Sequence, residues 1–149
     1  MKRVKQIKED PDVSPIAIFP EGGTSNGKYL LHFKRGAFEP EEPIQPYFIE
    51  YTSPFCNPAC DVFPMHLHYM FMACQPFSTI TLRKMGPVFP TEFMYRKFKD
   101  YGAAKPEIYA AAVREIYSVA YGIKKVNNSL MEKVRMNEYL YDFKKEKYE

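Results

Sequence analysis

The sequence predicts an α/β fold, with a mixed and largely parallel sheet flanked by helices. Two observations predict it. Residues 16–19, Ile-Ala-Ile-Phe, are four consecutive apolar residues, which is the pattern of a strand buried on both faces of a parallel sheet. Residues 106–121 place apolar side chains at helical spacing along one face. Strands and helices of these kinds combine in layered α/β domains.

The length and composition indicate one globular domain. The chain has 149 residues, of which 46% are hydrophobic, so it can bury a core. The net charge of +3, with acids and bases interspersed, gives no reason to expect nucleic acid as a partner, and it is compatible with an anionic membrane surface. We expect a polar lead-in at residues 1–15, the domain at 16–123 and a charged, helical tail at 124–149.

The start of the chain and its cysteines predict an intracellular protein. Residues 1–8 are basic and no apolar segment follows them, so no secretory signal peptide is predicted. No apolar run reaches the roughly 18 residues of a transmembrane helix. Because Cys56, Cys60 and Cys74 are an odd number, we expect reduced thiols.

The loop that follows the first strand is the candidate binding site. Pro20 ends the strand because it has no N–H to donate, and Glu21 stands at the strand's carboxyl end, where open α/β sheets bind ligands. Gly22 and Gly23 let the backbone turn and approach a ligand closely, and Thr24 adds a hydroxyl. Such a loop can present N–H donors to an anion, although the same glycines also suit an ordinary strand-to-helix turn.

Local composition predicts the segments between this loop and the last helix. They are a helical turn within residues 28–38, an acidic loop at 39–43, a strand at 44–51, a loop at 52–64, a helix at 65–74, a strand at 78–88 broken at 86–87, and an irregular helix at 90–104. Phe33 and Phe38 are expected to pack inward, and Cys74 to be a buried hydrophobe. For residues 65–77 we expect core packing, with a membrane surface as the alternative.

The last helix carries the clearest pattern in the chain. Pro106 suits its first position, Gly122 suits a left-handed cap after its end, and Ile123 supplies the apolar contact that often accompanies such a cap. The predicted inward face consists of Tyr109, Ala112, Val113, Ile116, Tyr117 and Ala120.

Longer strings around the glycine loop resemble the glycerolipid acyltransferase superfamily. Residues 19–22, Phe-Pro-Glu-Gly, and residues 33–38, Phe-Lys-Arg-Gly-Ala-Phe, resemble one signature of that family, and residues 43–47, Pro-Ile-Gln-Pro-Tyr, resemble the next. Residues 26–30, Asn-Gly-Lys-Tyr-Leu, are most similar to lysophosphatidylcholine and lysophosphatidylethanolamine acyltransferases. Gly23 departs from the family pattern, which has Thr directly after Glu-Gly; Thr24 could replace that hydroxyl.

The resemblance implies an activity in phospholipid biosynthesis. The family transfers an acyl group from acyl-CoA, its co-substrate, to a hydroxyl of a lysophospholipid or of glycerol phosphate, with no bound cofactor and at an intracellular membrane, for which the endoplasmic reticulum or the mitochondrion is expected. The implied acceptor and phosphate-binding residues are Glu21, Gly22, Gly23, Thr24 and Lys34. Lys28 and Arg35 are further candidates for phosphate contact, although surface basic residues are more often only solvated.

The family's catalytic pair is not found in this chain. In the family, a His takes the proton from the acceptor hydroxyl, and an Asp five positions later orients the imidazole. Five positions after the histidines at 32, 66 and 68 stand Ala37, Phe71 and Ala73, and His32 is expected to be structural. Because the resemblance covers residues 16–123, the carboxyl-terminal half of the usual domain, we expect no catalytic residue here. A catalytic half or partner subunit is therefore expected elsewhere.

Two other classes of function stay open. The chain could be a non-catalytic pseudoenzyme subunit or scaffold that keeps the fold. It could also be a small zinc-stabilised interaction domain, because Cys56 and Cys60 precede His66 and His68. That spacing matches no standard zinc site, and chance cysteines and histidines near a proline-rich loop are the simpler account, so no metal site is predicted.

Overall fold

The computed structural model describes residues 14–23, 25, 27–58, 65–128, 131–132, 135–136 and 138–139. Its strands form two small sheets. Strands β1 (Tyr29–Leu30) and β4 (Lys124–Lys125) pair in parallel, and β2 (Tyr47–Thr52) and β3 (Thr79–Lys84) pair antiparallel. The helices are α1 (Met65–Ala73), α2 (Glu92–Lys97) and α3 (Lys105–Tyr121), with 3-10 turns at Arg35–Ala37 and Lys99–Tyr101. The predicted α/β class is confirmed, and the parallel ladder is the shorter of the two.

Helix α3 carries most of the core. The Glu107 carboxylate accepts the N–H groups of Ala103 and Ala104, at 3.1 and 3.4 Å, which satisfies donors at the start of the helix. Gly122 ends the helix in the left-handed conformation, with φ 65° and ψ 22°, as predicted. The buried cluster is Leu30, Phe33, Phe38, Met94, Tyr95, Ile108, Tyr109, Ala110, Ala112, Val113 and Tyr117.

The predicted inward face of α3 is confirmed in part. Tyr109, Val113 and Tyr117 are buried, whereas Ile116 and Ala120 are exposed. The predicted face includes too many residues, because α2 and the two 3-10 turns that contact α3 leave Ile116 and Ala120 in solvent.

Aromatic rings pack against one another in the core. Phe33 and Phe38 are buried, as predicted, and their rings meet those of Tyr117 and Tyr109 edge to face, at centroid distances of 5.7 and 5.3 Å. The Tyr109 hydroxyl lies 3.1 Å from the carbonyl oxygen of Glu42 and 2.9 Å from that of Val88, so its single proton is shared between them. The amino-terminal part of α3 is thereby bound to the segments that lead into and out of the antiparallel sheet.

The antiparallel pair β2 and β3, called the ribbon below, exposes an apolar face. Directly opposite residues share a face, so the pairs Ile49–Leu82 and Tyr51–Ile80 lie on the same side. Ile80 and Leu82 are 62% and 61% exposed. On the other side Phe48 packs towards the core, and further out the Glu50 carboxylate pairs with an Arg83 guanidinium nitrogen at 3.0 Å.

The predicted strand at residues 16–19 is wrong. The segment forms no strand, and Ile16, Ile18 and Phe19 are exposed. An apolar run of this kind becomes a buried strand only where strands flank it on both edges and layers cover both faces. In the described part of the chain, no strand pairs with it.

Helix α1 forms at the predicted position, but its predicted core packing is wrong. Its apolar side chains surround it on all sides, so no single stripe can be buried. Its buried residue is instead His68, whose Nε2 lies 3.2 Å from the carbonyl oxygen of Pro58. Cys74, predicted as a buried hydrophobe, is exposed. The exposed large residues in and after this helix are Met65, Tyr69, Met70, Phe71 and Phe77.

Residues 1–13 of the lead-in and most of the tail lie outside the described residues, as do Thr24 and Cys60. Within the tail, residues 124–125 form β4, and the described positions among 131–139 are helical. The domain boundaries at residues 15 and 124 stay a prediction.

Candidate functional site

The loop at residues 20–23 folds back onto residues 31–34. The Gly22 N–H donates to the Phe19 carbonyl at 3.1 Å, and the Lys34 N–H donates to the Pro20 carbonyl at 2.8 Å. Gly22 has φ 73°, a backbone conformation that glycine adopts without the steric penalty of a side chain. The two strings that carry the family resemblance, residues 19–22 and 33–38, are therefore brought together in space.

The side chain of Lys34 lies against Gly22. A Cβ atom at position 22 would come within 2.7 Å of both Cε and Nζ of Lys34. Residue 34 is exposed, and none of the ion pairs found among the described residues involves its ammonium group. The loop therefore holds a cation beside a backbone turn that carries no side chain, which is an arrangement suited to an anionic group.

Glu21 is directed into the protein rather than towards this cation. Its Oε1 accepts the N–H of Leu31 at 3.0 Å, and the Ser25 side chain also hydrogen-bonds to the carboxylate. Burial raises the pKa of Glu21 above its ordinary value, and these hydrogen bonds together with the charge of Arg114 oppose the rise without cancelling it. The carboxylate thus closes the loop onto the end of β1.

Arg114 is a part of this site that sequence reasoning missed. It comes from α3, and its Nη2 donates to the carbonyl oxygens of Leu30, at 2.8 Å, and of Val126. Burial lowers the pKa of Arg114, and the negative charge of Glu21 opposes that change. In the sequence, only its position could have indicated this role. Arg114 directly follows Val113, at the border of the buried stripe of an amphipathic helix.

The other candidate residues have different surroundings. Gly23 lies in the loop and is exposed, and Thr24 lies outside the described residues. The Arg35 guanidinium forms surface ion pairs with Glu39, at 3.7 Å, and Glu107, at 3.9 Å, and these account for its charge without a phosphate. Lys28 is exposed and lies beyond Gly27.

The histidines and cysteines do not assemble into a centre in the described part of the chain. His32, expected to be structural, has an exposed side chain, His66 is also exposed, and His68 is buried. No group of three or more His, Cys, Asp or Glu side chains that could hold a metal ion occurs among the described residues. The thiols of Cys56 and Cys74 are free, and no helix within the described ranges is long and apolar enough to cross a bilayer.

Comparison with known proteins shows similarity to glycerolipid acyltransferases. The chain is 30% identical over 115 residues to lysophospholipid acyltransferase LPEAT1 of Arabidopsis thaliana, a match that covers 77% of this chain and 27% of that protein. It is 43% identical over 49 residues to lysophospholipid acyltransferase LPCAT4 of Xenopus tropicalis, covering 33% of this chain and 9% of that protein. With human glycerol-3-phosphate acyltransferase 3 it shares 41% identity over 54 residues, covering 36% and 12%.

These similarities confirm the resemblance to the glycerolipid acyltransferase superfamily. The chain contains part of an acyltransferase-like domain, and the matches cover 27% or less of the length of these three relatives. No protein-family profile matches the chain, and no solved structure does.

Proposed function

We propose that this chain forms the acceptor side of a glycerolipid acyltransferase domain. The domain transfers an acyl group from acyl-CoA, as co-substrate, to a hydroxyl of a lysophospholipid or of glycerol phosphate. The observation that carries the proposal is the contact between Lys34 and Gly22, which joins the two strings that resemble the acyltransferase signature. The names of the similar proteins support the reaction class.

Lys34 is the group that we assign to the phosphate of the acceptor. A phosphate beside the turn at residues 22–23 gains a charge-assisted contact with the ammonium that lies against this turn. The Gly22 N–H is already used by the Phe19 carbonyl, and the Lys34 side chain fills the place of the missing Cβ, so the turn serves mainly to hold the ammonium at the loop. Glu21 would repel a phosphate, but its carboxylate is engaged by the Leu31 N–H and therefore positions the loop.

The general base belongs to another part of the enzyme in this proposal. No histidine of the chain is followed five positions later by a carboxylate, because Ala37, Phe71 and Ala73 occupy those positions. We assign the base to residues of the whole enzyme outside the matched segment, or to a partner subunit. An acceptor with an acyl chain resides in a lipid surface, so we place the enzyme at an intracellular membrane, of the endoplasmic reticulum or of the mitochondrion.

A chimera tests the proposal. Residues 16–123 replace the matching segment of Arabidopsis LPEAT1, and acyl transfer from labelled acyl-CoA is measured with lysophosphatidylethanolamine and with glycerol 3-phosphate as acceptors. We expect an active chimera in which Lys34→Ala raises KM for the acceptor by about tenfold or more, which corresponds to the loss of one charge-assisted hydrogen bond. Lys84→Ala, at an exposed lysine of the ribbon, is the matched control and should leave KM unchanged.

The alternative is a non-catalytic subunit or scaffold that keeps the fold. The absence of a carboxylate five positions after each histidine favours it. It predicts that the chimera accumulates to the parental level but transfers no acyl group. The isolated chain should show only background activity under either proposal, because it supplies no positioned general base. The two proposals are therefore separated by the chimera alone.

A further inference from the structure

One peptide group near the candidate site is held from both ends by opposite charges. The carbonyl oxygen of Leu30 accepts a hydrogen bond from the Arg114 guanidinium at 2.8 Å. The N–H of Leu31, which belongs to the same peptide unit, donates to the Glu21 carboxylate at 3.0 Å. Because a peptide unit is planar and trans, its C=O and N–H point in opposite directions. Arg114 and Glu21 therefore lie on opposite sides of one rigid group.

The two contacts reinforce each other. A cation at the carbonyl oxygen and a carboxylate at the N–H both polarise the peptide in the same direction, so each hydrogen bond strengthens the other. Both partners are ionic, which makes these bonds stronger than those between neutral groups. A change on the Arg114 side of the peptide is thus transmitted to Glu21, although the two side chains belong to distant parts of the sequence.

Among the described residues, Arg114 is the cation whose charge acts on the Glu21 carboxylate. From α3, Arg114 and Tyr117 interact electrostatically with it, and from its own loop the Ser25 side chain hydrogen-bonds to it. The Lys34 ammonium lies against the next residue, Gly22.

Helix α3 also holds β4 through a contact that does not involve this peptide. Glu115, the neighbour of Arg114, pairs with Lys125 of β4. Arg114 reaches the same strand end through the carbonyl of Val126, but it alone of the two also reaches Leu30. Glu115 therefore contacts β4 alone, whereas Arg114 also binds the Leu30–Leu31 peptide.

We propose that Arg114 is a positioning residue of the candidate acceptor site. Through the Leu30–Leu31 peptide it fixes Glu21, and with it the Gly22 turn, in the orientation that places Lys34 beside the loop. Arg114 itself does not contact the acceptor. The identity of the site rests on the proposed function, whereas the coupling between Arg114 and Glu21 does not.

The test uses the whole chain and two readouts from nuclear magnetic resonance. The carboxyl carbon of Glu21 is titrated with pH, and the hydrogen-exchange rate of the Leu31 amide is measured. Arg114→Met should raise the pKa of Glu21 further and accelerate Leu31 exchange by about five- to tenfold. This is less than the effect of losing a charged hydrogen bond outright, because Leu31 keeps its own bond to Glu21 and loses only the reinforcement from Arg114. Arg114→Lys keeps the charge, so it should bring the pKa of Glu21 part of the way back to that of the unchanged chain. The Leu31 amide should still exchange faster than in the unchanged chain.

Glu115→Gln is the matched control, because it breaks the tether between α3 and β4 and spares the peptide. It should leave the Glu21 titration and Leu31 exchange close to those of the unchanged chain. If Arg114→Met, or Arg114→Lys where the methionine variant does not fold, alters both readouts no more than Glu115→Gln does, Arg114 is only a strand tether and the inference is wrong. An inactive chimera with the coupling intact would instead refute the proposed function alone.

Discussion

Two regions of the molecule use apolar and aromatic residues in opposite ways. The first, the α3 body, comprises residues 30–38 and 88–121, and in it Phe38, Tyr109 and Val113 are the largest fully buried side chains. The second, the arm, comprises residues 47–84 with the ribbon and α1, and there Phe77 and Leu82 are 66% and 61% exposed. Apolar composition alone therefore does not bury a segment, because a second layer must also cover it.

Among the described residues, aromatic and hydrogen-bond contacts attach the base of the arm to the α3 body. The Phe48 ring stacks on Tyr121 at a centroid distance of 4.2 Å, and the Tyr117 hydroxyl donates to the Tyr47 carbonyl at 2.9 Å. Beyond this base, the ribbon has two strands, and a two-stranded sheet is marginally stable without a further layer. The α3 body and the arm should therefore respond very differently to the same substitution.

The largest expected effect comes from removing a phenylalanine in each region. Phe38→Ala should reduce the free energy of unfolding by about 3–5 kcal/mol, because it leaves a cavity beside Tyr109. Phe77→Ala, in the arm, should change it by less than about 0.5 kcal/mol, because its ring is already mostly in water. Urea unfolding followed by circular dichroism measures both. Equal losses would show that the arm is packed as tightly as the α3 body.

A smaller contrast comes from removing one hydroxyl group. Tyr109→Phe leaves the carbonyls of Glu42 and Val88 without their shared donor, and the free energy of unfolding should fall by about 1–3 kcal/mol. Tyr51→Phe, at an exposed position of the ribbon, should be nearly neutral. Burial raises the pKa of Tyr109 to about 12, so its ionisation should also occur late in an alkaline absorbance titration of the unchanged chain. A neutral Tyr109→Phe variant would contradict the role given to this hydroxyl.

The α3 body could be predicted from the sequence much better than the arm. Local signals were sufficient for α3, for the Gly122 cap and for the burial of Phe33 and Phe38, because spacing and capping chemistry act within a few residues. In the arm, the position of α1 was also predictable, but its exposure was not. Burial depends on what lies opposite a segment, and that information is not local.

The same limit applies to the candidate site. The contact between Gly22 and Lys34 was accessible through the strings that carry the family resemblance. The role of Arg114 was not, because it requires the pairing of β1 with β4 and a hydrogen bond between residues 84 positions apart in sequence. The strand expected at residues 16–19 failed for a related reason: its pattern describes a buried environment that the described residues do not provide.

Lysine substitutions on the two faces of the ribbon are expected to affect aggregation more than stability. Ile80→Lys and Leu82→Lys place a charge on the exposed apolar face, and they should change the free energy of unfolding by less than about 0.5 kcal/mol while raising the concentration at which the chain aggregates. Thr81→Lys, between them on the opposite face, is the matched control and should have a smaller effect on aggregation. Light scattering over a concentration series gives the answer. Unfolding of the ribbon by the first two variants would show that its apolar face is packed.

The weakest contrast is expected between Glu21, whose carboxylate accepts the N–H of Leu31 in the α3 body, and Glu50 of the arm. Burial raises the pKa of Glu21 above 4.5, so between that ordinary value and the folded value the folded state binds more protons than the unfolded chain. Stability must then fall as pH rises through this window. Glu21→Gln keeps an oxygen that can accept the Leu31 N–H but removes the titration, so it should flatten this slope and leave the melting temperature at neutral pH unchanged or slightly higher. Glu50→Gln, which removes an exposed ion pair with Arg83, should leave the slope as it is. Urea unfolding at about pH 4 and pH 7 distinguishes the two variants. If Glu21→Gln loses equal stability at both pH values, the hydrogen bond of the carboxylate outweighs the cost of burying its charge.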